Sequence, residues 1–109
     1  MLMTPFNPWG TDEVTTNFVS AFEAAFGETP NQFAADGYDC VWAIYEAIQA
    51  AGITADMSNE EICDALIAEF TGDFTFNGTT GSDMTWSTDG AVSKAPIVVT
   101  IQDDIYVNN

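Results

Sequence analysis

Few side chains in this sequence could carry out chemistry. There is no histidine, which removes Ser-His-Asp and Cys-His nucleophilic mechanisms and the commonest ligand for zinc and iron. Lys94 is the only basic residue and so the only amine nucleophile. It sits in a polar stretch before Pro96, where no apolar surroundings would activate it, and it is expected as a solvated surface lysine. The 17 Asp and Glu residues will bring some carboxylates close together by chance, so a close pair alone does not indicate acid-base catalysis. No enzyme activity and no cofactor are expected.

Three short patterns could bind or be modified. Asp73-x-Thr75-x-Asn77-Gly78 resembles the first half of a calcium loop. The position that should hold a bidentate glutamate is Met84, so no metal site is expected. Asn77-Gly78-Thr79 matches a glycosylation sequon, and a hairpin turn explains it equally well. Cys40 and Cys63 fall in different predicted helices with 22 residues between them, matching no metal-ligand spacing. Either one disulfide or two free thiols fits, Cys40 among small apolar neighbours acting as a small hydrophobe. The segment Phe33-Ala34-Ala35-Asp36-Gly37-Tyr38-Asp39-Cys40-Val41 is the most informative. Its small residues permit close backbone approach and Tyr38 adds an aromatic face with a hydroxyl, which suits a pocket wall or an ordinary helix interface.

These residues must be positioned by one small domain, since the chain has 109 residues. Its hydrophobic fraction of 47% and aromatic fraction of 13% are those of a folded chain. The net charge of -16 argues against nucleic acid and anionic membrane partners, because both are bound by displacing counterions with Lys and Arg. Solubility is the simplest use of such acidity. No stretch reaches the roughly 18 to 20 apolar residues needed to cross a bilayer. Met1 to Pro5 is not a secretion signal, so an exported parent would carry its signal upstream.

The opening Leu2 to Phe6 reads as a strand end stopped by Pro5 and Pro8. Thr11 is the expected cap of a helix from Asp12 to Phe26, ended by Gly27, with Val14, Phe18, Val19, Phe22 and Phe26 as its buried stripe. A second helix should run from about Gln32 to Ala51 and end at Gly52. Val41, Trp42, Ile44, Tyr45 and Ile48 make it apolar around most of its circumference, so it expects neighbours on several sides. Ser58 and Glu61 form a capping box for a third helix with Ile62, Leu66, Ile67 and Phe70, ended by Gly72. Apolar residues then alternate at Phe74 and Phe76, at Met84 and Trp86, and at Ile97, Val99 and Ile101. Turn signals at Asn77-Gly78, Asp89-Gly90 and Asp103-Asp104 divide these into short antiparallel strands. The expected organisation is a helical part, 1-72, and a β-hairpin part, 73-109.

The order and spacing of Phe18, Phe22, Phe26-Gly27, Pro30, Phe33-Ala34-Ala35, Gly37-Tyr38-Asp39, Ala47-Ile48 and Ala51-Gly52 resemble the type I periplasmic solute-binding proteins, specifically their leucine/isoleucine/valine-binding branch. Thr80-Gly81, Met84-x-Trp86, Asp89-Gly90 and Ile97 to Gln102 resemble that family's closing segment. The resemblance spans nearly the whole chain and implies an α/β parent fold of which this chain is a C-terminal portion. It also implies two lobes that close on a small solute by a hinge motion, and a membrane transporter permease that accepts the closed form outside the cytoplasm.

By the same resemblance Tyr38 is the expected ligand contact. Asp39 is expected to orient a loop or meet a ligand amine, a helix-start acid being the simpler explanation. Phe6 is placed where the chain leaves one lobe, with hinge packing as its task. The residues that hold the ligand's charged ends in this family lie mostly upstream, as do the βα units against which these helices would pack. The apolar faces of helix 32-51 and strand 97-101 should therefore lead the isolated chain to associate, as a homo-oligomer or strand-exchanged dimer. Two alternatives remain, a self-associating chain without ligand binding and the ligand-sensing domain of a receptor or regulator.

Overall fold

A computed structural model describes all residues, 1-109. Its elements run β1 (Leu2–Thr4), α1 (Glu13–Phe26), α2 (Gln32–Ala50), α3 (Asn59–Phe70), β2 (Ile97–Gln102) and β3 (Ile105–Asn108). This is the expected set of three helices with short antiparallel strands, but β1 is paired from the far end of the chain. The sheet order is β1-β2-β3 and both pairings are antiparallel. Leu2 faces Val99, and Val99 faces Asn108. The opening strand therefore joins the two parts of the chain in one sheet.

Local signals set the element ends. Asp12, not Thr11, caps α1, because its carboxylate accepts the Thr15 N–H at 3.0 Å. Gly27 closes that helix in the left-handed conformation, at φ 72°. Asn31 caps α2 through the Ala34 N–H, and Ser58 with Glu61 forms the capping box of α3. Asp103 and Asp104 both adopt positive φ, 50° and 64°, which gives the two-residue β2–β3 turn the twist that antiparallel strands favour. Asn77-Gly78 does not make a tight turn. Phe76 pairs with Met84 across the loop 77-83, which Asn77 Oδ1 braces by accepting the Asp83 N–H.

Two small apolar clusters make the core. One gathers Phe6, Phe18 and Ala35, and the other Ala43, Ala47, Phe74, Phe76 and Met84. The expected stripe of α1 is only partly covered: Phe18 is buried while Val14 and Phe26 are exposed, since few elements pack on that helix. On α2, Val41, Trp42, Ile44 and Tyr45 are exposed. So are Cys40 and Cys63, both free thiols, and Cys40 is thus not a packed core residue. Lys94 is at the surface as expected and pairs there with Asp36 at 2.7 Å.

The surface of 7119 Å² exceeds by roughly 1,200 Å² the area usual for a compact chain of this mass. The radius of gyration is 16.1 Å, against about 13 Å for a compact domain of this length. Much apolar surface is left uncovered. No helix is long and apolar enough to cross a membrane.

Candidate functional site

Three of the chain's cavities separate the residues expected to touch a ligand. The first, about 450 Å³, is lined by Phe6, Trp9, Phe33, Tyr106, Asp104 and polar residues of the first turn of α2. Phe6 is 1% exposed and holds its place by an edge-to-face contact with Phe18, ring centroids 5.7 Å apart. Trp9 meets Tyr106 edge to face at 5.4 Å, joining the β1–α1 loop to β3. Phe33 is 74% exposed and open to the cavity. Asp104 is the only charged residue in the lining.

The α2 N-terminus completes this cavity. Asn31 satisfies the N–H of Ala34 by its side chain and that of Ala35 by its carbonyl. The N–H groups of Gln32 and Phe33, in the first turn, have no carbonyl partner within the helix. Such groups, with the helix dipole behind them, favour a bound carboxylate. Aromatic walls, a carboxylate-favouring helix end and one acidic side chain thus meet in one space. That set can hold a small solute with an apolar body and charged ends.

Tyr38 and Asp39 line a smaller cavity of about 170 Å³ with Val14, Trp42, Glu46 and Thr79. The Tyr38 ring lies 4.7 Å from that of Phe18 and 6.2 Å from that of Trp42. Asp39 sits two turns inside α2, so it is not a helix-start acid. It is buried, and its carboxylate accepts the N–H and hydroxyl of Thr79 at 2.8 and 2.9 Å and those of Thr80 at 2.8 and 2.6 Å. The same bonds bury the Thr79 hydroxyl of the sequon. A polar cavity of about 400 Å³, lined by Phe6, Asn7, Asp12, Thr15 and the loop 78-82, shares Phe6 with the first cavity and Gly78 and Thr79 with the smaller one. Only Phe6, among the three expected contacts, reaches the aromatic cavity. Trp9, Phe33 and Tyr106 were not anticipated as site residues.

A periplasmic binding protein family model matches residues 1–104, and the chain belongs to that family. Its structure is similar to that of a putative branched-chain amino acid ABC transporter from Rhodospirillum rubrum, with 28% identity and a TM-score of 0.75 over 99% of this chain and 30% of that one. It is also similar in fold to a solute-binding protein from Rhodopseudomonas palustris BisB5 in complex with 3,4-dihydroxybenzoic acid, with 20% identity and a TM-score of 0.71 over 97% and 29% of the two chains. A leucine-binding protein from Thermotoga maritima MSB8 shares the fold at 21% identity and a TM-score of 0.67, over 98% and 29%. The chain spans about 30% of the length of these structures. No curated protein sequence matches it.

Proposed function

We propose that this chain supplies one wall of the solute cleft of an extracytoplasmic, non-catalytic binding protein that delivers an amino acid or similar small carboxylate to an ABC transporter. The aromatic cavity at the first turn of α2 carries this reading. Leucine and 3,4-dihydroxybenzoate, named with two of the similar structures, share a carboxylate on an apolar or aromatic body. The first turn of α2 suits that carboxylate, and Phe6, Trp9, Phe33 and Tyr106 suit the body. Asp104 can meet a ligand ammonium group. Tyr38 serves as a second, apolar contact at the edge of the cleft, and Asp39 orients the neighbouring loop.

The test is a thermal-shift screen against leucine, isoleucine, valine and 3,4-dihydroxybenzoate, since a ligand that binds only the folded chain raises its melting temperature. A shift that Phe33→Ala abolishes and Tyr38→Ala weakens is expected. Retention of the full shift in Phe33→Ala would move the site elsewhere.

The uncovered apolar residues of α2 and β2 support a second reading, in which the isolated chain associates with itself. Light scattering at micromolar concentration should then give a mass above that of one chain, rising with salt as the net charge of -16 is screened. A clean monomer at all salt concentrations would exclude it.

A further inference from the structure

The four buried residues of α2 are Ala35, Asp39, Ala43 and Ala47. They recur every fourth position, and each is displaced by about 40° around the helix axis from the one before. The seam therefore winds slowly along one side of the helix. Three of its members end in a methyl group. A methyl has no polar atom to direct and little shape to interlock, so it tolerates a range of rotations of the helix against its support.

Asp39 does not tolerate that range. Its two carboxylate oxygens take four bonds of 2.6 to 2.9 Å, from two successive residues of one loop. Backbone N–H donors are fixed by the chain, so the carboxylate must sit where they point. The opposing Gly78 has no side chain, and a Cβ there would fall 2.5 Å from Asp39 Oδ2. The loop thus fits the carboxylate at close range and in one orientation.

The other polar ties of α2 are weaker guides to rotation. Asn31 bonds within its own helix, Gln32 at the first turn accepts one long bond of 3.3 Å from the Thr4 hydroxyl, and the Ala35 carbonyl accepts one of 3.4 Å from the Thr79 hydroxyl. Lys94 to Asp36 is a partly exposed pair on a flexible side chain, the kind of contact that contributes little. Asp39 is the one buried side chain of the helix with directional bonds to another element.

We propose that Asp39 is a positioning residue that sets the rotation of α2 about its axis, and with it the presentation of Phe33 and Tyr38. A rotation of about 20° would carry atoms at the outer radius of the helix by about 2 Å. Binding groups are generally useful only when held to within about 0.5 Å. The presentation to ligand rests on the binding reading above, whereas the rotation is measurable with no ligand present.

The experiment is NMR on the full chain and its Asp39→Asn and Thr80→Val variants, following ring-to-ring cross-relaxation between Tyr38 and Phe18. The Phe70–Trp86 pair, centroids 4.8 Å apart, serves as an internal reference, since neither ring belongs to α2 or to the loop 77-83. Asp39→Asn keeps the side-chain shape and replaces one acceptor oxygen by a donor. The Tyr38–Phe18 intensity should fall at least two-fold relative to the reference, with the Phe33 ring resonances displaced. Thr80→Val removes one hydroxyl donor and should give a smaller change in the same direction, which decides the matter if Asp39→Asn does not fold. An unchanged Tyr38–Phe18 intensity in a folded variant, with only a lower melting temperature, would overturn the proposal. Leucine titration of the same samples separates the two readings. No response of the unsubstituted chain to leucine, or to the other three compounds of the screen, removes the ligand assignment and leaves the rotational result standing.

Discussion

Gly78→Ala probes the contact between α2 and the loop 77-83 without altering any polar group. Gly78 lies outside the left-handed region, so alanine brings no backbone strain there, and the whole effect is steric. The new Cβ would meet three Asp39 carboxylate atoms at 2.5 to 2.6 Å. Four hydrogen bonds prevent the carboxylate from simply rotating away. Overpacking of this kind costs about 1–3 kcal/mol, and a partial loss of the bonds to a buried charge puts the expectation near the upper end. With a urea slope of about 1–2 kcal/mol per molar for a small domain, the midpoint should fall by roughly 1.5–3 M at unchanged slope. In an Asp39→Ala background the methyl has room, and the cost of Gly78→Ala should drop below about 0.5 kcal/mol, which identifies the pairwise term. A single variant as stable as the parent would show that the loop and α2 are not in the close contact described here.

Gly37 provides the opposite case. Its Cβ would meet nothing within 4 Å, so Gly37→Ala should stabilise α2 by about 0.5–1 kcal/mol in the same denaturation assay. Ser58→Ala should cost about 1 kcal/mol through loss of the α3 cap, read as earlier loss of helical circular dichroism. Glu61 is held below the ordinary glutamate range by the Ser58 N–H and then by the Ser58 hydroxyl. Because the folded value is the lower one, the stability it contributes is present above the unfolded value and is lost as pH falls through the folded one. NMR titration should find the Glu61 carboxyl moving up toward its ordinary value in Ser58→Ala. Phe6→Ala should cost about 3–5 kcal/mol and broaden the Trp9 and Tyr106 resonances, whereas Phe33→Ala should leave stability nearly unchanged.

Features encoded by near neighbours were legible in the sequence. Ser58 and Glu61 announced the start of α3, Gly27 the end of α1, and Asp103-Asp104 the β2–β3 turn, because each acts through residues a few positions away. Thr11 and Asp12 are both good caps, and only the geometry of the Thr15 N–H decides between them. Val14 and Phe26 share the period of a buried stripe, but periodicity cannot say how much wall is available to cover it. Asn77-Gly78 carried a hairpin signal that a partner far along the chain outweighed, since Asp39 holds the loop in a wider form. The aromatic cavity was the least legible feature. Trp9 and Tyr106 stand near opposite ends of the chain and meet only once β1 and β3 have joined β2. The Tyr38 signal was local, and Tyr38 lines the smaller cavity, while Phe33, one and a half turns earlier, faces the larger space.

The division of the core into two clusters bears on cooperativity. Ala35 belongs to one cluster and Ala43 and Ala47 to the other, so α2 is a beam with a separate anchorage at each end. Neither anchorage contains the residues of the other, and the energetic link between them is the helix itself together with the Asp39 clamp at its middle. Each end can then open as its own foldon while the other stays closed. Trp9, against Tyr106, and Trp86, against Phe70 and Phe74, stand in the two halves and would report separate openings. Such loose coupling lets the aromatic cavity adjust while the far half remains packed.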